Sequence, residues 1–184
     1  DFWRYSIASN TWDAMTDAPE KVGGGGALTW DGVNTLYALR GSDETDFWSY
    51  TISTNLWASL SNTPAKIKDG GSLAHHNGIV YALRGDKKKD FYAYDVCAGT
   101  WSAMTDAPTN IKEGGALVYA TDAGVDYRYA MRGENRNDFH RDSISGDSWA
   151  TMADTPANVK WGGALRWEGT DTLFAFRGDL KQDY

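Results

Sequence analysis

The stretch Asp46-Phe47-Trp48-Ser49-Tyr50-Thr51-Ile52, followed at a fixed distance by Trp57, occurs four times in the chain. Asp1-Phe2-Trp3-Arg4-Tyr5-Ser6-Ile7 leads to Trp12, Asp90-Phe91-Tyr92-Ala93-Tyr94-Asp95-Val96 to Trp101, and Asp138-Phe139-His140-Arg141-Asp142-Ser143-Ile144 to Trp149. A fifth copy begins at Asp183-Tyr184. Repetition at this period constrains the fold more than any local propensity, because each unit must bury its apolar face against the next. The units run 1–45, 46–89, 90–137 and 138–182, with the start of another at 183–184. The long third unit reads as a loop insertion near Thr121-Asp122-Ala123-Gly124.

Within each unit the landmarks keep their order. After the Trp comes Pro19, Pro64, Pro108 or Pro156. Then come Gly25-Gly26, Gly70-Gly71, Gly114-Gly115 or Gly162-Gly163, which open a short apolar run that closes on Arg-Gly. The anchor alternates Trp3, Tyr5 and Ile7 against Phe2, Arg4 and Ser6, the period of a strand. Ala8-Ser9-Asn10-Thr11 supplies turn residues and Trp12 opens the next strand. Gly-Gly-Ala-Leu-Thr-Trp begins a further strand, Asp31-Gly32 turns it, and Leu36-Tyr37-Ala38-Leu39 returns. No segment carries helical spacing. Four short strands per unit, repeated at this length, predict an all-β chain: a β-propeller of four-stranded antiparallel blades, with aromatics buried between neighbours.

The order Gly-Gly, apolar strand, Gly, aromatic strand with Tyr, then Trp seven residues after the Tyr, resembles the kelch repeat. Tyr5 and Trp12, Tyr50 and Trp57, and Tyr94 and Trp101 keep that spacing; the fourth copy has Asp142 in place of the Tyr. The resemblance covers essentially the whole chain. It departs from the usual pattern in writing Arg-Gly where kelch units close with two glycines. It implies that the Gly-Gly strand lies innermost and that the Arg-Gly and Pro loops open on one face. Counted in that order, the chain holds the outer half of one blade, three whole blades and the inner half of another. It is expected to be a fragment of a larger ring that does not close on itself, with open blade edges prone to self-association.

Net charge is −7, which disfavours nucleic acid as a partner, and no apolar run reaches the length of a membrane span. Cys97 is the sole cysteine, so no internal disulfide framework exists.

Candidate functional residues fall in two sets. The first pairs each repeated Arg with an Asp across one loop: Arg40 with Asp46, Arg84 with Asp90, Arg132 with Asp138, and Arg177 with Asp183. These read as structural ion pairs, bidentate by the fit of a guanidinium fork to a carboxylate. The competing reading is a ring of arginines offered to an anionic ligand. The second set lies on the variable loops: Asp43, Glu44, Lys68, Lys87, Lys88, Lys112, Arg136, Lys160 and Trp161. Variable polar loops on a rigid scaffold are where recognition usually sits, although solvated turns have the same composition.

His75-His76 on an inner strand should point to opposite faces, and no spacing supplies further metal ligands. Calcium at Asp43, Glu44 and Asp46, or at Asp122 and Asp126, lacks the loop pattern such sites use. No metal or cofactor is expected, and no nucleophile, zinc or phosphate-loop motif is present. Kelch-type propellers include galactose oxidase and a sialic acid mutarotase. Cys97 has no copper-ligand set around it, and no catalytic residue carries over from either. The expectation is a non-enzymatic binding or structural module for a protein or glycan partner, outside the cell or at its surface. The alternative is a carbohydrate-active enzyme or sugar mutarotase using the loop face.

Overall fold

Strand formation follows the repeat, but the sheet boundaries fall at the Gly-Gly pairs rather than at the anchor Asp. The computed structural model describes residues 1–178. All sixteen elements among the described residues are strands, and none is helical. Strands β1 (Trp3–Ser6) and β2 (Thr11–Ala14) form a two-stranded sheet. The first whole sheet is β3 (Ala27–Trp30), β4 (Thr35–Leu39), β5 (Phe47–Thr51) and β6 (Leu56–Ser59). The second is β7 (Ser72–His76), β8 (Ile79–Leu83), β9 (Phe91–Asp95) and β10 (Thr100–Ala103). The third is β11 (Ala116–Asp122), β12 (Val125–Met131), β13 (Phe139–Ser143) and β14 (Ser148–Thr151). A two-stranded sheet of β15 (Ala164–Trp167) and β16 (Leu173–Phe176) ends the series.

Every pairing is antiparallel between strands consecutive in the chain. Each whole sheet thus takes two strands from one repeat unit and two from the next. The insertion near Thr121 lengthens the β11–β12 hairpin to seven residues per strand.

The sheets pack face on face, and the aromatics fill the seams. Phe47 of the first sheet lies edge-on to Tyr94 and Trp101 of the second, at 5.0 and 4.9 Å. Phe91 repeats this against Trp149 at 5.3 Å, and Phe2 against Tyr50 and Trp57 at 4.9 and 5.1 Å. Tyr37, Leu39 and Phe47 share one cluster with Leu73, Val80 and Tyr94 across the first seam. Burying a Phe or Leu this fully contributes about 1.5–3 kcal/mol. Each fourth-strand Trp also ties its sheet to the one before: the Nε1 of Trp57, Trp101 and Trp149 donates to the carbonyls of Thr16, Ser61 and Thr105 at 2.8, 2.8 and 2.9 Å.

The first strands, β3, β7, β11 and β15, lie side by side in that order. The Gly-Gly pairs permit this approach. Gly70 has φ +90°, and a Cβ there would stand 2.0 Å from the carbonyl oxygen of Lys112. Apolar pegs close the same end: Ile67, Ile111 and Val159, one from each of the three later Pro loops, are buried, whereas Val22 of the first is exposed.

Candidate functional site

The three described Arg-Gly loops share one backbone frame. Gly41, Ser42 and Asp43 all take left-handed conformations, as do Gly85, Asp86 and Lys87, and Gly133, Glu134 and Asn135. Two non-glycine residues in this region cost about 1–2 kcal/mol each, so the surroundings must hold them. The next Pro loop does so. The amides of Asp43, Lys87 and Asn135 donate to the carbonyls of Ile67, Ile111 and Val159 at 3.0, 2.9 and 2.9 Å. In return the amides of those pegs donate to the carbonyls of Glu44, Lys88 and Arg136. The loop backbones are therefore alike, and the side chains on them differ.

The Arg–Asp contacts brace the same turns. Nη1 reaches the Asp carboxylate at 3.0 Å in Arg40–Asp46, 3.3 Å in Arg84–Asp90 and 3.2 Å in Arg132–Asp138. The bidentate geometry expected from the sequence does not form. Nε instead donates to a backbone carbonyl in three of the four arginines, that of Lys21 for Arg40, Lys66 for Arg84 and Asn158 for Arg177, whereas the buried Nε of Arg132 makes no hydrogen bond. Nη2 leans toward Glu20, Asp86 or Glu134. One guanidinium thus bridges strand, turn and Pro loop, which a fork spent on a single carboxylate would not do. Asp183 lies outside the described residues, so its pairing with Arg177 is not described.

The variable residues are brought together only in part. Asp43 sits between Lys66 and Lys68, 3.7 Å from each Nζ. At the next seam Lys87 occupies the place of Asp43 and Lys88 that of Glu44, and both are exposed. Lys112 turns to Glu113 at 3.2 Å and Glu134 at 3.8 Å, and the Glu113 contact raises its pKa. Arg136 is exposed, Lys160 is half-buried with its amide bonded to the Arg177 carbonyl, and Trp161 is exposed. None of these nine residues lines the large cavity, which belongs to the first strands.

That cavity, of about 770 Å³, runs along β3, β7, β11 and β15 from the glycine pairs to the opposite end. There Trp30, His75, Tyr119 and Trp167 occupy one equivalent position in four successive sheets, with Arg166 and Glu168 beside Trp167. His75 stacks on Tyr37 at 6.0 Å, and burial lowers its pKa. The sequence reading passed over this set, although its signal is simple: each residue stands four places after the second glycine of its pair.

His76 faces the other way, as alternation requires. It stacks on Tyr119 at 4.0 Å, and its Nε2 lies 3.2 Å from Asp126 Oδ2. Tyr119 donates to Asp126 Oδ1 at 2.6 Å, Thr121 also donates to it, and the Tyr119 bond leads in lowering the Asp126 pKa. Asp126 thus serves as a seam acceptor. The Asp122 carboxylate turns to Arg141 at 3.0 Å. No group of three or more His, Cys, Asp or Glu suited to a metal occurs among the described residues.

No family model matches the chain, and no curated protein matches it. Among solved structures it is similar to one titled "Structure of YjhT", with a TM-score of 0.67 at 16% identity. The match covers 84% of this chain and 58% of that one, so the chain spans little more than half of its structural neighbour. At this identity the likeness concerns fold alone. The chain is an all-β assembly of antiparallel four-stranded sheets with the backbone arrangement of that neighbour, and no described helix is long and apolar enough to cross a membrane.

Proposed function

We propose that this chain is a non-enzymatic binding and structural module, built of kelch-like β-propeller blades, that holds a protein or carbohydrate partner outside the cell or at its surface. The observation that carries the reading is the contrast within the Arg-Gly loops. Their backbones are fixed by the same inter-sheet hydrogen bonds, while the side chains they carry change from half-buried Asp43-Glu44 to exposed Lys87-Lys88 and exposed Asn135-Arg136. A frame held constant with its side chains free to vary is how a rigid scaffold presents a recognition surface. The Arg–Asp contacts support architecture rather than a ligand ring, because Arg40, Arg84 and Arg132 are each engaged by their own turn.

The test is a binding screen of the folded chain against glycan arrays and surface-protein extracts, repeated with Lys87→Glu/Lys88→Glu. Binding that the double variant abolishes, with the melting curve unchanged, supports the loop face. A partner retained undiminished by that variant counts against it.

A second reading, a carbohydrate-active enzyme or sugar mutarotase, draws support from the cavity, where an aromatic and histidine set meets Arg166 and Glu168. Turnover of a sugar anomer that His75→Ala removes would favour it over the binding module.

A further inference from the structure

The chain contains a single Asn-Gly dipeptide, Asn77-Gly78, and it forms the whole loop between β7 and β8. His76 pairs with Ile79, so the hairpin turns in two residues, with φ +52° at Asn77 and +79° at Gly78. Two successive left-handed residues make the type I′ turn that Asn-Gly favours. The third sheet turns in the same way on Ala123-Gly124, at φ +48° and +79°, with no amide side chain.

Asn77 is set apart by the freedom of two groups that can react with each other. It is exposed, and its carboxamide has no hydrogen-bond partner among the described residues. The Gly78 amide donates to no acceptor; only the Gly78 carbonyl is engaged, by the Val96 amide at 3.0 Å. A Cβ at Gly78 would meet nothing within 4 Å, so no neighbour crowds that nitrogen. The first sheet offers the contrast. There the Asp31 carboxylate of Asp31-Gly32 accepts from the amides of Val33, Asn34 and Thr35 at 2.7, 2.9 and 3.0 Å. Asn10, Asn34 and Asn55 are likewise held through their side chains. Asn110 has a free side chain, but the next nitrogen belongs to branched Ile111 and donates to the Lys88 carbonyl.

We propose that Asn77 is a modification site, where the chain deamidates through a cyclic imide with water as the only co-reactant. Asparagine is a thermolabile residue, and this copy has its nucleophile beside it. The Gly78 nitrogen gives up its proton and attacks Cγ of Asn77. The new N–Cγ bond replaces Cγ–Nδ2, and the side-chain nitrogen leaves as ammonia with that proton. Water then opens the ring. Cleavage at Cγ leaves aspartate at 77; cleavage at the main-chain carbonyl leaves isoaspartate. Nothing is oxidised or reduced. Either product makes the formal net charge of −7 one unit more negative. Isoaspartate also carries the main chain through the side chain, which adds a backbone carbon to a turn that holds only two residues. That strains the His76–Ile79 pair and, through it, the contact of His76 Nε2 with Asp126 at 3.2 Å. The turn lies at the end of the sheet opposite the Arg-Gly loops, so its chemistry is independent of the loop-face reading.

The test incubates the full folded chain at mildly alkaline pH and follows its peptides by mass. The expected result is progressive loss of the amide at residue 77 ahead of every other asparagine. Aspartyl and isoaspartyl products should both appear, the second labelled by an isoaspartyl methyltransferase. Asn77→Ala copies the Ala123-Gly124 turn; it should melt as the wild type does and lose the acidic charge variant that the wild type accumulates. The separated isoaspartyl form should show the His76 ring resonances shifted from those of the unconverted chain, and unshifted resonances would overturn the link to the seam. Conversion of Asn110 or any other asparagine before Asn77 overturns the proposal. So does an acidic variant that accumulates equally fast in Asn77→Ala, or a product at 77 that is aspartyl alone, since the imide gives both.

Discussion

The second and third whole sheets differ most at one cross-strand position. Val80 pairs with Tyr94 in the second, and Leu36 with Tyr50 in the first; the third has Arg128 opposite Asp142. Both members of this pair are fully buried, and Arg128 Nη2 meets Asp142 Oδ2 directly. The guanidinium lies over the rings of Tyr81 and Phe91 of the preceding sheet, at 4.0 and 4.8 Å. No further hydrogen-bond partner accompanies the guanidinium. Burial pushes the Asp142 carboxyl up to about 6, against the pull of Arg128. The two sheets hold the same backbone register with opposite chemistry. The comparison teaches that this seam accepts a charge only as a matched pair under aromatic cover.

The sharpest way to break that comparison is to strip one member. Asp142→Ala leaves a buried guanidinium unpaired and should cost about 3–5 kcal/mol in urea unfolding. Installing the second sheet's chemistry, Arg128→Val with Asp142→Tyr, should be neutral or stabilising by about 1–4 kcal/mol. If the single change is as mild as the double, the pair is not carrying its seam.

The Arg-Gly turns give a smaller effect. Arg84 holds Asp90 and the Lys66 carbonyl from a position one-fifth exposed. Arg84→Ala should cost about 1–2 kcal/mol, less than the buried pair because solvent screens it. Arg84→Lys should restore the Asp90 contact but not the bond to Lys66, and so recover part of the loss. An unchanged midpoint for Arg84→Ala would return the arginines to the ligand-ring reading.

The fourth-strand tryptophans sharpen the contrast between whole and half sheets. Trp101→Phe loses the bond to the Ser61 carbonyl and should cost about 1 kcal/mol. Trp12 occupies the same place in β2 but is 70% exposed. Trp12→Phe should stay within about 0.5 kcal/mol in thermal melts.

Sequence alone carried the strand pattern, because alternation and turn residues are local. It also flagged Asp142, the one anchor copy without Tyr. It did not reveal Arg128 as the partner. Arg128 sits between Tyr127 and Tyr129 and reads as a solvent-facing residue until β12 and β13 are placed in register. The inter-sheet bonds of the Arg-Gly loops were hidden for the same reason, since Asp43 and Ile67 meet only after the sheets pack. The bidentate expectation failed because the Lys66 carbonyl on the Pro loop leading into β7 claims Nε of Arg84, a partner that only the folded sheet brings within reach. Long-range partners follow from packing, which repeat spacing does not encode residue by residue.

The smallest effects concern pH, and two carboxylates of the second seam should act with opposite sign. Asp142 has a folded pKa of about 6, above its ordinary 3.8, so the folded state binds its proton more tightly. Its contribution is then largest below pH 4 and declines as pH rises toward about 6. Asp126 is shifted down, chiefly by the hydrogen bond from Tyr119. Its contribution is full above its ordinary value of about 4 and is lost as acid protonates it in the folded state. Urea unfolding from pH 3 to pH 7 separates the two. Asp142→Asn should remove a decline between about pH 4 and 6, whereas Asp126→Asn should flatten the acid limb and leave that decline in place. The Asp126 effect is the weaker, because water reaches that carboxylate and screens the bonds from Tyr119 and His76. Identical profiles for the wild type and Asp126→Asn below pH 4 would mean that the His76–Tyr119–Asp126 cluster orders the seam without stabilising it.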